Sequence, residues 1–219
     1  MDLDFGRIVP YLPLLKNGIL MTLKFTLWST ILGFAWGVLL SLIKVSPLKP
    51  LAWFGKAYTS FFRGTPLLVQ LMLIYFATPQ LTGFNITSLQ AGVLAFGLNS
   101  AAYISESIRG GILSVDKGQR EAAMALGVPK FWIMKDIIFP QAIKNILPSL
   151  VNESISLLKD SSMVAIIGVG DTLRWAQQLQ AKTFRAFEAF IMAALVYYVL
   201  VMALTSIGNY LERRARVSD

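Results

Sequence analysis

Residues 117–148 read KGQREAAMALGVPKFWIMKDIIFPQAIKNILP, a polar and charged insert flanked by hydrophobic runs; no other part of the chain departs so sharply from its surroundings. Gln119 to Leu126 are strong helix formers, and Ala122, Ala123 and Ala125 give that helix a small-sided surface. Gly127 suits a helix end and Pro129 starts the next segment. The spacing predicts a short docking helix closed by a turn, inside a loop over residues 117–140.

Composition sets the class around that insert. Of 219 residues, 55% are hydrophobic and only 15% charged, and the mean hydropathy of +0.61 exceeds what a soluble domain needs. The length favours one domain, taken as residues 1–219, in an integral membrane protein. A net charge of +8 would point to nucleic acid in a soluble protein, but here the cations have another task, orienting spans in the bilayer, and no nucleic-acid partner is expected. The chain has no Cys and no His. Disulfides, thiol nucleophiles, imidazole metal sites and histidine relays are thereby excluded. No catalytic residue and no metal site is assigned.

Working outward from the insert, apolar segments appear on both sides. Residues 1–17, with Asp2, Asp4, Pro10 and Pro13, read as an interfacial lead-in without the pattern of a signal peptide. Spans are expected at about 18–43, 60–79, 89–112, 141–158 and 187–211, since ~20 residues at ~1.5 Å each cross a core of ~30 Å. In the first, Ser29, Gly33, Gly37 and Ser41 recur every four residues and make one face small enough for close helix approach. Lys44 to Arg63 is a basic connector with an amphipathic piece at Leu51–Phe62, and the second span needs part of residues 59–64 to reach across. Pro148 is expected to bend the fourth span. Lys159 to Gly170 reads as a re-entry toward the surface, and Asp171 to Lys182 as a polar surface helix. With the insert in the cytoplasm, Lys44, Lys49, Lys56, Arg63, Arg109, Lys117, Arg120, Lys130, Lys135, Lys144, Arg213, Arg214 and Arg216 lie inside. Only Arg7, Lys16, Arg174, Lys182 and Arg185 lie outside, with Lys24 and Lys159 in or near spans. Five spans then put the N-terminus outside and the C-terminus inside.

Polar residues within apolar spans mark a cavity, a partner or a substrate path, because a charge at a helix centre costs roughly 2.5–3.5 kcal/mol on the insertion scale. Asn99, Tyr103 and Glu106 share one face of the third span by their spacing of four and three. Glu153, Leu157 and Asp160 repeat that spacing in the fourth, with Asn152 and Ser156 alongside, and Gln70 lies midway along the second. If these faces converge they form a polar, acidic chamber, and Gln70, Asn99, Tyr103, Glu106, Asn152, Glu153 and Asp160 are the candidate substrate-binding residues. Each has a structural alternative. Glu106 pairs with Arg109 one turn later, Asp160 pairs with Lys159 or caps the following helix, and Gln70 and Asn99 serve only as interhelical hydrogen bonds. Glu153 has no basic residue three or four positions away, which favours its facing substrate or water.

The insert resembles the EAA loop of ABC-importer permeases: E-A-A, three residues, Gly, nine residues, then I-x-L-P. Glu121, Ala122, Ala123 and Gly127 fit, and Ile137 to Pro140 follow at the right distance, with Phe139 in place of Leu. FRGTPLLVQ (62–70), NSAAYISESIRG (99–110) and LKDSSMVAIIGVG (158–170) are similar to the polar amino acid group of these permeases, which handles histidine, glutamate, glutamine, arginine and opines. The likeness covers roughly residues 14–212. It implies an all-α integral membrane fold of five transmembrane helices with a cytoplasmic coupling helix, the type I ABC importer permease fold. It also implies a dimer with itself or a sibling permease, two ATP-binding ABC subunits, an external solute-binding protein and a bacterial cytoplasmic (inner) membrane. Glu121, Ala122, Ala123 and Gly127 are the residues expected at the joint with the ATPase. No G-x-x-x-x-G-K-[ST] loop occurs, so no cofactor is expected in this chain, ATP and magnesium belonging to the partner. The expected function is alternating-access import of a polar amino acid, with the acidic chamber favouring arginine, lysine or histidine. Glutamine or glutamate import is the alternative. A proton-coupled secondary carrier is a second class, opposed by the short length, the absence of two related halves and the EAA match.

Overall fold

A computed structural model of the chain describes residues 4–216, and every described element is helical. Asp2 of the lead-in lies outside the described residues, as does the side chain of Arg216. Two short 3₁₀ turns, Phe5–Arg7 and Val9–Tyr11, lead into α1, Leu12–Lys44, which starts with a proline in its first turn and runs for 33 residues. The helix therefore begins several residues before the expected lead-in ends.

After α1 comes α2, Lys49–Gly64, and then α3, Leu67–Met72. A π-helical stretch, Leu73–Ala77, carries α3 into α4, Thr78–Thr82, which Gly83 ends in the left-handed conformation. Residues 60–64 do not join the second span as expected. They finish α2, and the chain turns by 107° before Leu67. Thr65 and Pro66 are both extended at this corner, as a residue before proline tends to be. At ~1.5 Å per residue, Leu67–Thr82 covers only ~24 Å, short of a ~30 Å hydrocarbon core.

α5, Ser88–Leu113, opens on a capping box between Thr87 and Gln90. The insert holds α6, Lys117–Ala125, and α7, Lys130–Trp132. A π-helical stretch at Ile133–Ile138 leads from α7 directly into α8, Phe139–Asp160. Pro148 sits inside α8 without ending it. A 3₁₀ run at Ser161–Ile167 forms the re-entry, and α9 (Thr172–Thr183) and α10 (Ala186–Arg216) complete the chain. By length and apolarity alone, the N-terminal helix and α10 are long enough to cross a membrane, and the bent pair α2 with Leu67–Thr82 meets the same test together. α5 and α8 carry more polar faces.

Three clusters hold the helices together. The central one joins α1, α3, α5, α8 and the 3₁₀ run through Phe25, Leu71, Phe96, Leu157 and Val164, with Phe25 edge-on to Phe96 at 5.0 Å. Another packs Ile8 and Leu15 against Trp175, Ala176, Leu179, Ala189 and Ala193. α9 is thus anchored by one buried face rather than lying free as a polar surface helix. The last gathers Val115, Ala123, Ile133, Ile138, Ala142 and Ile146 beneath α6.

The small-residue face of α1 does what its spacing predicts. Ser29, Gly33 and Gly37 are buried, and a methyl group on Gly37 would sit 2.7 Å from Ile104 of α5. Glycine is required there because the backbones approach too closely for a side chain.

Candidate functional site

Where the 107° corner, the middle of α5 and the end of α8 meet, they enclose a cavity of about 360 Å³. Its lining includes Thr65, Pro66, Asn99, Tyr103, Glu153, Ser156 and Asp160. That volume falls within the range of small-molecule sites, about 300–1,000 Å³. Asn99, Tyr103, Glu153 and Asp160 of the expected chamber do converge. Glu153 and Asp160 lie seven residues apart on α8, on one face and ~10 Å apart along its axis. Neither carboxylate forms an ion pair with a described residue. Asp160 precedes the 3₁₀ run, yet its side chain caps nothing. Of the two structural alternatives weighed for it, the cap is absent, and Lys159 acts on it only at longer range than an ion pair.

Three other expected chamber residues are placed elsewhere. The Gln70 amide, 3% exposed, donates to Phe62 O at 2.9 Å and to Thr65 O and Oγ1 at 3.1 and 2.7 Å. Its own oxygen accepts from Asn99 Nδ2 at 2.9 Å, and Asn99 donates to Phe62 O as well. Gln70 is a clamp for the corner and does not line the cavity. Asn99 does both jobs: it lines the cavity, and its amide nitrogen is spent on the clamp. Glu106 turns away toward α1, where Lys44 Nζ pairs with Oε1 and Arg109 pairs with Oε2 at 2.8 Å. It lines a separate cavity at the other end of α5. Asn152 is exposed and outside the lining.

Sequence reasoning missed Thr65 and Pro66 as cavity residues. It also missed Arg63, whose guanidinium lies 5.3 Å from the centre of the Tyr103 ring. The Thr-Pro pair was the available signal, since it marks the corner that brings the end of α2 to α5.

The insert is built by local chemistry. Asp116 caps α6 by accepting from Gly118 N. At the other end Val128 N donates to Ala123 O and Gly127 N to Met124 O, both at 3.0 Å, and Gly127 has φ +77. These two bonds around a left-handed glycine make a Schellman motif, with Val128 packed toward Ala123. Glu121 and Ala122 are exposed, whereas Ala123 is buried at 4%. Ala123 consequently holds α6 onto the helices beneath, away from the exposed face that Glu121 and Ala122 present. Next to the exposed face, Leu126 and Phe131 are 83% and 68% exposed, too apolar a surface to be left to water.

A helical membrane subunit with a polar cavity between its spans and a projecting helix on one side is a transport subunit. The chain belongs to the family of binding-protein-dependent transport system inner membrane components, whose sequence pattern matches residues 30–217. It is 51% identical over the full length of both chains to the arginine transport system permease protein ArtQ of Bacillus subtilis. It is 50% identical, over 97% of each chain, to the putative glutamine transport system permease protein GlnP of Rickettsia bellii. Among solved structures, an amino acid ABC transporter with histidines superposes with a TM-score of 0.93 at 44% identity, over 98% of this chain and 100% of that one. The MetNI methionine transporter shares the fold at 22% identity with a TM-score of 0.76, over 94% of this chain and 98% of that one.

Proposed function

We propose that this chain is the membrane subunit of an ATP-driven importer of polar amino acids, and that the cavity between the corner, α5 and α8 receives the substrate. The observation that carries this reading is the pair Glu153 and Asp160, two carboxylates that face one cavity and form no ion pair with a described residue. Such groups are costly in an apolar setting until a cation meets them. An α-ammonium group satisfies one. A lysine, arginine or histidine side chain satisfies the second, and a guanidinium does so with two parallel hydrogen bonds. The preference is therefore for a basic amino acid, in keeping with the arginine permease among the relatives.

ATP and magnesium are held by a separate ABC subunit docked on α6, with Glu121, Ala122 and the Gly127 turn at the joint. A second copy or a sibling permease completes the pore, and a solute-binding protein delivers substrate from outside. The N-terminus lies outside the cytoplasmic membrane and the C-terminus inside. Closure of the ATPases moves α6, and α6 moves α8 through the cluster around Ala123, switching access to the cavity. Glu121→Lys is expected to abolish substrate-stimulated ATP hydrolysis while membrane insertion is kept; unchanged stimulation would remove Glu121 from the joint.

The deciding experiment is ATP hydrolysis by the reconstituted complex, scanned across amino acids, in wild type and Glu153→Gln. Stimulation of wild type by arginine, lysine or histidine, lost in the variant, supports the reading. If glutamine or glutamate stimulates both equally, Glu153 plays no part in selection and the basic preference falls.

A further inference from the structure

We infer that the cavity between the ends of α1 and α5 and the middle of α2 holds the headgroup of an anionic phospholipid from the leaflet on the α6 side. This cavity, about 460 Å³, is separate from the substrate cavity and shares no lining residue with it. Lys44, Lys56 and Arg109 line it, against one carboxylate, Glu106. Lys44 spends two of its three donors, on Glu106 and on Ser105 Oγ. Arg109 uses one edge of its guanidinium on Glu106 Oε2 and has donors to spare. Lys56 is exposed and has no ion-pair partner among the described residues. After the ion pairs are formed, the site retains a surplus of positive charge and free donors suited to a phosphodiester.

The rest of the lining suits acyl chains. Val45, Ile108, Ile112 and Leu113 form an apolar wall, and it opens onto the outer face of α1, where Leu42 is 61% exposed and Val45 74%. A free phosphate ion would find no use for that wall. The depth is fixed by α2, which turns 107° away from the span that follows. On it Lys49, Lys56 and Arg63 recur every seven residues, while Trp53 is 71% exposed. A helix with a basic stripe and an exposed tryptophan rests at headgroup level. Basic residues at that level attract anionic lipid, most strongly on the cytoplasmic leaflet. The inference rests on the proposed orientation with α6 inside, but not on the substrate.

The test uses the complete importer, permease with its ATPase, purified from bilayers of phosphatidylglycerol and phosphatidylethanolamine in equal amounts, and counts retained lipids by native mass spectrometry. Wild type is expected to retain phosphatidylglycerol selectively. Lys56→Gln should lower that retention about five-fold, one basic residue's share at an anionic surface, without changing phosphatidylethanolamine. Lys49→Gln removes the same charge from the same helix outside the lining and should leave retention intact. Leu113→Trp fills the apolar wall with all cations present and should also displace the lipid. Equal retention in Lys56→Gln and wild type would overturn the inference. So would equal losses in Lys49→Gln and Lys56→Gln, which would mean diffuse surface charge. A Lys56→Gln complex that sheds its ATPase or its second permease while keeping its lipid would make the face a protein contact instead. Amino acid stimulation of ATP hydrolysis, recorded in parallel, reads the substrate cavity independently.

Discussion

The Gln70 carboxamide reaches three acceptors on Phe62 and Thr65 and accepts from Asn99, so its removal loosens several half-buried groups at once. Gln70→Leu is expected to destabilise the fold by about 1–3 kcal/mol, the cost of leaving such groups unpaired. Thermal unfolding of the purified protein reads the loss, and the ranking of amino acids that stimulate ATP hydrolysis should not change. The Lys44 pair makes a sharper contrast. Glu106→Gln leaves the Lys44 ammonium, 8% exposed, without a counter-charge and should cost about 3 kcal/mol or more. Lys44→Met leaves Glu106 still paired with Arg109 and should cost at most about 2 kcal/mol. Similar losses in the two variants would mean that Arg109 does not compensate. The partnership of Glu106 with Arg109 is visible in the sequence because three residues separate them on one helix. Its partnership with Lys44 is not, since a separation of 62 residues is bridged only by the packing of α1 on α5. Glu153 was legible for the opposite reason: no local cation was available to neutralise it.

At the scale of elements, glycines with different neighbours should respond in opposite directions. A methyl group at Gly37 would meet Ile104 at 2.7 Å, and Gly37→Ala should push α1 off α5 at a cost of about 1–3 kcal/mol. Gly110 is also helical but a methyl there meets nothing within 4 Å, so Gly110→Ala should stabilise by about 0.5–1 kcal/mol. Unfolding temperatures of the two variants side by side give the answer. Gly127→Ala places a side chain at φ +77 and should cost about 1–2 kcal/mol in the turn, lowering transport more than substrate binding. The small-residue period of α1, the ends of α5 and the glycine turn of the insert could all be read from sequence, because each is governed by neighbours along the chain. The second span could not. Phe61 and Phe62 stand just before the apolar run, and the corner depends on Gln70 and Asn99 meeting backbone carbonyls from another element.

For the whole molecule, the proposed orientation gives a clean labelling experiment, since the chain has no native cysteine. Cysteines placed singly at Lys117 and at Lys182 should react with a membrane-impermeant maleimide from opposite sides, Lys182→Cys in intact cells and Lys117→Cys only after the membrane is opened. Labelling of both from outside would overturn the topology. The all-helical membrane class followed from composition and the insert, whereas the separation of the polar residues into a cavity at the corner, a corner clamp and an ion pair between α1 and α5 needed the assembled helices. The corner has a mechanical consequence. Besides the Gln70 clamp, Tyr58 of α2 donates to Leu98 O of α5 at 2.8 Å, so α2, α3 and the middle of α5 turn as one rigid bracket. α2 is then a lever arm ~24 Å long, and a tilt of the spans by about 10° sweeps its Lys49 end through about 4 Å. On the proposed mechanism, each transport cycle should therefore be written onto the membrane surface, and a probe on α2 should read the rocking of spans it does not belong to.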